Sequence, residues 1–241
     1  MRTPRLFVPC TLPVGRSLDL PVETSHYLGK VLRARPEQTI TLFNGDGQEY
    51  TCSITQVGKK QVTIHVIISH PGLLASPLTT HLGQVLSRGD RMDYAVQKAT
   101  EMGVNIITPL FSERCEVRLD QQRLQKRLHH WQQIAISACE QSGRNDTPKI
   151  NPPIALQDWV SQVEAQSKLV LHPHDTVPLT DMPAPTSCAL LIGPEGGLTE
   201  AEVRAATAQH FQAICLGPRI LRTETAPVAT LSLLQHLWGD Y

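Results

Sequence analysis

"LLIGPEGGLTEAEV", residues 190–203, sets an apolar run against a proline and three glycines and then against a helix start. Thr199 and Glu202, three apart, have the spacing of a capping box, which fixes where the helix begins and leaves Gly193 to Leu198 as loop. The run before it, CALLIG (188–193), is short, apolar and bounded by turn residues, as a buried strand should be. A strand, a glycine loop and a helix in that order suit a parallel α/β sheet. Such sheets bind ligands beyond the carboxyl ends of their strands, where glycines let backbone groups come close.

The same arrangement recurs at "LGPRILRTETAPVATL" (216–231). Strand AICLG ends at Gly217, a loop carries Pro218, Arg219 and Arg222, and a helix starts near Thr223 to Thr225, with Pro227 tolerated in its first turn. A third strand, KLVLH, ends at Leu171, His172 and Pro173. Three such ends predict one shared pocket. Neither GxGxxG nor GxxxxGK[ST] is present, so a phosphate cradle is poorly supported. Further upstream, HLGQVLS, DRMDYAVQKATEM stopped by Gly103, and VNIITPLF read as a βαβ unit. A long helix from about Asp120 to Ser142 carries Leu124, Leu128, Trp131, Ile134, Ala135 and Ala138 on one stripe and ends at Gly143. Further helices run from about Glu200 and from about Glu224 to Trp238.

Residues 1–70 have a different rhythm. RLFVP, QTITLF, QEYTCSI and QVTIHVII read as short strands, with turns at NGDG (44–47) and GKK (58–60). One helix interrupts them, "ETSHYLGKVLR", with Thr24 and Ser25 as candidate caps and Tyr27, Leu28, Val31 and Leu32 as its apolar face. The expected organisation is a small β-barrel over 1–70, a linker over 71–79 and an α/β domain over 80–241.

Composition narrows the function. Hydrophobic residues make up 41% of the 241, and formal net charge is zero, which argues against nonspecific coating of nucleic acid. Residues 1–35 nevertheless hold Arg2, Arg5, Arg16, Lys30, Arg33 and Arg35 against only Asp19 and Glu23, a balance that suits a local RNA contact. The six cysteines (10, 52, 115, 139, 188, 215) form no CxxC pair and no zinc spacing, so they read as reduced thiols and no metal site is expected. No run approaches the ~18 apolar residues of a membrane span, and no apolar segment follows the charged N-terminus. A cytoplasmic protein with no membrane contact is expected.

"LLIGPEGGLTEAEV" and "LGPRILRTETA", together with "HLGQVLSRGDRMDYAVQKATEMGV", "PLFSERCEV" and "ACEQSGR", closely resemble the RsmE family, uridine N3-methyltransferases of 16S ribosomal RNA in the SPOUT superfamily. The resemblance covers nearly the whole chain, since "RLFVP" and "HYLGKVLR" are similar to the family's PUA-like RNA-binding barrel. It implies an α/β SPOUT methyltransferase domain whose C-terminal segment forms a trefoil knot, an exception to the rule against threading. It also implies a homodimer, and S-adenosylmethionine held mainly by backbone. The matching cofactor positions are Leu171, His172, Ile192, Gly193, Pro194, Gly196, Gly197, Leu216, Gly217, Ile220, Leu221, Arg222 and Ala226. Met102 for an expected leucine and Pro227 for a non-proline are small departures.

The implied substrate is uridine 1498 of 16S rRNA, and whether it is met in free rRNA or in the assembled small subunit the sequence leaves open. Its N3 proton must leave while negative charge spreads onto O2 and O4, so a cation beside those oxygens would stabilise the transition state. Arg222 is the first candidate for that role, with Arg219 as its neighbour. Glu224 either accepts the proton or sits as a favourable charge at a helix N-terminus, and Glu195 faces a similar choice. His172 reads as a loop residue lending its backbone. Arg2, Arg5, Lys30, Arg33 and Arg35 are candidate phosphate binders on the barrel, and Arg114 and Arg144 candidate RNA or dimer contacts. The rival readings are a SPOUT ribose 2′-O-methyltransferase and a noncatalytic RNA-binding assembly factor.

Overall fold

The computed structural model describes residues 3–117, 120–174 and 176–241. The chain divides into two compact units, Met1–Ala75 with Cys139–Thr147, and Ser76–Ala138 with Pro148–Tyr241.

The first unit is a five-stranded sheet built from β1 (Arg5–Phe7), β2 (Ser17–Asp19), β3 (Thr39–Phe43), β4 (Gln48–Val57) and β5 (Val62–Pro71), in the order β1-β3-β4-β5-β2. Alternation along β3 to β5 turns Ile40, Leu42, Cys52, Ile54, Ile64 and Val66 into one buried cluster. The NGDG turn forms as its residues require: Gly45 and Gly47 take φ of 95° and 84°, the Asn44 amide oxygen accepts from Asp46 N, and the Asp46 carboxylate accepts from Gln48 N. The helix differs from its sequence expectation. α1 (Val22–His26) starts after Pro21, and Thr24 and Ser25 lie inside it. Ser25 is buried because its hydroxyl donates to Leu20 O and accepts from Val62 N, stapling the helix to β5 instead of capping it. A π turn over Tyr27–Val31 then rotates the apolar face, so Leu28 alone of the four expected residues is buried.

The second unit is a parallel sheet with helices: β6 (Thr79–Val85), α2 (Arg91–Glu101), β7 (Ile106–Phe111), α3 (Gln121–Ser142, whose last turn belongs to the first unit), β8 (Lys149–Ile150), β9 (Ile154–Ala155), α4 (Leu156–Gln162), β10 (Ser167–Leu171), β11 (Ser187–Ile192), α5 (Glu200–Ala208), β12 (Gln212–Ile214) and α6 (Thr225–Trp238). The order is β12-β10-β11-β6-β7-β8, with β9 also on β7. β11 explains its own composition. Its even-numbered residues Cys188, Leu190 and Ile192 enter one core with β6, α2 and α6, while Ala189 and Leu191 enter a second with α4 and Phe211. Both faces are covered, so the strand reads as a continuous apolar run. α4, β8 and β9 were not expected from the sequence, being too short to show a period. Gly83 in β6 admits α4: a Cβ there would lie 2.6 Å from the Trp159 ring. No helix among the described residues is long and apolar enough to cross a membrane.

Candidate cofactor and substrate site

Strands β10, β11 and β12 are neighbours in the sheet and parallel, so their carboxyl ends lie side by side. The loops leaving them, with the segment leading into α6, enclose a cavity of about 640 Å³. Its wall contains Leu171, His172, Ile192, Gly193, Pro194, Gly196, Gly197, Leu216, Gly217, Ile220, Leu221, Arg222 and Ala226, together with Arg219, Glu195 and Glu224. The three strand ends expected to share a pocket thus do so.

Each loop is held by identifiable bonds. Gly197 takes φ +70°, a region costly to L residues, and its N–H closes a turn on Pro194 O at 2.9 Å. Gly193 is needed for space, since a Cβ would approach Leu198 Cγ and its backbone N at 3.0 and 3.3 Å. The capping box forms: Glu202 N donates to Thr199 Oγ1 at 3.3 Å and Thr199 N to Glu202 Oε2 at 2.8 Å. Glu202 is buried, and its other oxygen accepts from Glu113 N at 2.8 Å, so one carboxylate fixes two loops. Gly217, at φ +93°, turns the chain out of the β12 region. His172 donates its N–H to Ile214 O at 3.0 Å, which fixes the end of β10 against β12.

Two features of the site were not legible. Thr223, buried before α6, donates to Gly193 O at 2.8 Å and accepts from Gln84 Nε2 at 3.0 Å, joining the ends of β6 and β11 to the start of α6. Arg91, in the first turn of α2, binds Glu195 Oε1 at 2.6 Å and reaches within 4.0 Å of Glu224 Oε1. Partial burial raises the Glu195 pKa. Its own backbone N–H, the hydrogen bond and charge of Arg91, and Arg88 N–H outweigh that and hold it below the ordinary carboxylate value. No spacing in the sequence announces these pairs, which are 139, 30 and 104 residues apart. Glu224 precedes α6, and its Oε2 is shielded from solvent without a hydrogen-bond partner. Arg219 and Arg222 are exposed on the rim.

The basic candidates separate into two groups. Arg5 does not present itself to phosphate: its side chain is 13% exposed and is consumed by Glu49 Oε1, the carbonyls of Cys139, Gly143 and Arg144, Asn145 Oδ1, and the face of Phe43 at 4.0 Å. It ties the end of α3 to the barrel within the first unit. Arg144 is likewise corrected, being buried and paired with Asp146 at 2.6 Å. Lys30, Arg33 and Arg35 are exposed. Arg114 donates to Gly196 O at 2.8 Å and so braces the glycine loop. Arg2 lies outside the described residues.

Residues 74–235 match the family described as RNA methyltransferase domain, and residues 20–67 match RNA methyltransferase PUA domain. The chain is 36% identical to ribosomal RNA small subunit methyltransferase E of Buchnera aphidicola subsp. Schizaphis graminum, over 99% of this chain and 98% of that protein. The chain belongs to the RsmE family of RNA methyltransferases. Among solved structures it is similar to a putative methyltransferase from Legionella pneumophila in complex with the bound cofactor SAM, at TM-score 0.97 and 42% identity, covering 100% of both chains. It is also similar to ribosomal RNA small subunit methyltransferase E from Neisseria gonorrhoeae bound to S-adenosyl methionine, at TM-score 0.93 and 42% identity, again covering 100% of both. Members of the RsmE family thus share both the α/β fold and the PUA-like N-terminal unit with this chain.

Proposed function

We propose that this protein transfers a methyl group from S-adenosylmethionine to N3 of uridine 1498 in 16S rRNA of the small ribosomal subunit. The observation that carries the reading is the cavity formed by three parallel strand ends, in a chain whose full-length structural relatives are described with that cofactor bound.

The residues fit such a ligand. A volume of about 640 Å³ falls in the range of small-molecule sites, and Gly193, Gly196, Gly197 and Gly217 line it without side chains, so main chain can come close to an adenosine. Leu171, Ile192, Leu216 and Leu221 supply apolar wall, while the Glu195 and Glu224 carboxylates favour a cationic sulfonium. When bound, S-adenosylmethionine supplies a methyl on positive sulfur, open to in-line displacement. This chain's work is then to orient the base and to handle one proton. Arg222, with Arg219 beside it, stabilises the charge that grows on the uracil oxygens, and Glu224 is at hand for the N3 proton.

The same reading carries a trefoil knot in the C-terminal segment, a homodimer and a cytoplasmic location. It assigns residues 1–70 to the barrel, 71–79 to a linker and 80–241 to the catalytic domain. Lys30, Arg33 and Arg35 are its phosphate contacts, and Arg114 and the exposed rim meet the RNA around the target. A modification on the Watson–Crick edge requires an unpaired or extruded base.

The test is nucleoside mass spectrometry of small subunits lacking the modification, incubated with the protein and labelled S-adenosylmethionine. Labelled 3-methyluridine is expected. Labelled 2′-O-methylnucleoside would move the chain to the ribose-methylating branch, and cofactor binding without label on any ribosomal RNA would refute catalysis.

A further inference from the structure

Beside the cofactor cavity lies a second one of about 850 Å³, between the segment after β6, the first turns of α2 and the start of α6. Resting on the methyltransferase reading above, we propose that it seats the acceptor base. Tyr94 is the stacking surface, Glu224 Oε2 takes the base's N–H, and Arg91 is the residue that positions that carboxylate.

The wall is built for a small polar ring. Tyr94 is 46% exposed on α2 and lines this cavity, so its ring is open to a flat partner. Arg88 and Glu116 pair with one another at 3.0 Å, so the wall carries both signs of charge and suits a ring edge of alternating donors and acceptors better than a phosphate.

Glu224 supplies the sharper clue. Its Oε1 lies at 4.0 Å from Arg91 Nε, while Arg91 Nη1 binds Glu195 Oε1 at 2.6 Å, so one guanidinium faces both carboxylates. Its Oε2 is shielded and unpaired, a costly state for a carboxylate oxygen that a ligand N–H would relieve. Glu195 and Glu224 line both cavities, so a ring edge that meets Glu224 also faces the methyl donor.

The chemistry selects its base. Uridine N3 carries a hydrogen between two carbonyls and donates to a carboxylate, whereas cytidine N3 is an acceptor and is repelled by one. In the reaction the N3–H bond breaks and the proton passes to Glu224. N3 forms its new bond to the methyl carbon, and the electrons of the carbon–sulfur bond stay on sulfur, which becomes neutral.

The test uses the full-length protein, small subunits lacking the modification, labelled S-adenosylmethionine, and calorimetry of cofactor binding on each variant. Tyr94→Ala should raise the KM for the subunit by about tenfold or more, with cofactor Kd within about twofold. Glu224→Gln should lose about 100-fold in kcat near neutral pH and regain about tenfold per pH unit as the base ionises unaided, while the wild type stays nearly flat. The charged groups around Glu224 are Arg91 and Glu195, with Arg88, Asp90 and Glu116 on the wall of the second cavity and Arg219 and Arg222 on that of the first, and none of them is altered. If the wild type makes 3-methyluridine but both variants keep its kcat, KM and pH profile, the assignment falls while the methyltransferase reading stands. Equal losses in cofactor affinity and turnover would overturn it too, since they place both residues in the first cavity. A wild type that makes no 3-methyluridine overturns both.

Discussion

Thr223→Val isolates what one hydroxyl contributes to the site. Valine has nearly the volume and branching of threonine, so no cavity opens, but Thr223 loses its donation to Gly193 O at 2.8 Å and its acceptance from Gln84 Nε2 at 3.0 Å. Gln84 Nε2 keeps a bond to Val85 O at 3.2 Å, and its Oε1 is already without a partner, so the change falls mainly on the Gly193 carbonyl and the junction. Two buried neutral hydrogen bonds are worth about 1 kcal/mol each, giving a loss of about 2 kcal/mol. That loss lands on the arrangement of the glycine loop against α6 that shapes the cofactor cavity. If it is felt wholly in binding, S-adenosylmethionine affinity falls about 30-fold. Calorimetric titration measures this directly, with Thr223→Ser, which keeps the hydroxyl, expected within about threefold of wild type. Urea unfolding of the same proteins shows whether the loss is local or global. A Thr223→Val protein that binds the cofactor within about twofold of wild type would refute the reasoning, because the loops would then hold without the link.

Four further outcomes are expected. Arg222→Ala should keep cofactor affinity within a few-fold yet lose turnover by about 100-fold, by analogy with removal of an oxyanion donor; unchanged kcat in the subunit assay would end its assignment. His81, pushed down to about 4 chiefly by burial and further by the Lys149 charge, is neutral in the folded protein, where Nε2 faces Thr108 Oγ1 and the Trp159 N–H. Its pKa is lowered on folding, so the unfolded chain takes up the proton first. Stability is intact above about pH 6.5 and is lost as pH falls toward about 4, by about 3 kcal/mol in all. Urea unfolding at stepped pH should show that slope and His81→Gln should flatten it. Finally, replacing Lys30, Arg33 and Arg35 together by alanine should weaken RNA binding and reduce its salt dependence without changing cofactor affinity, measured by filter binding across salt concentrations. Arg5→Met should instead lower the unfolding midpoint, because it removes the clamp on residues 139–145.

Local chemistry made part of this protein readable in one dimension. The glycine loop of residues 193–198 was legible because a strand, a glycine cluster and a capping box follow within 14 residues, and each constrains the next through short-range backbone geometry. Strand β11 was legible because a strand covered on both faces reads as a continuous apolar run. Residue types alone could not reveal how charge is spent. Arg5 and Arg33 look alike in a basic N-terminal stretch, yet Arg5 is folded into carbonyls contributed by residues more than 130 positions away, while Arg33 remains at the surface. Ser25 looked like a cap, but the approach of Val62 gave its hydroxyl another partner. The Thr223 link and the Arg91 pairing with Glu195 exist only because the parallel sheet brings the ends of β6 and β11 beside the start of α6. The longer helices and strands, the glycine loops and the family were readable from the chain alone, since those rest on local backbone preferences and a specific string of residues. The tertiary structure alone decided which charges are free and which loops are braced, because hydrogen bonds are made to whatever partner folding delivers within reach.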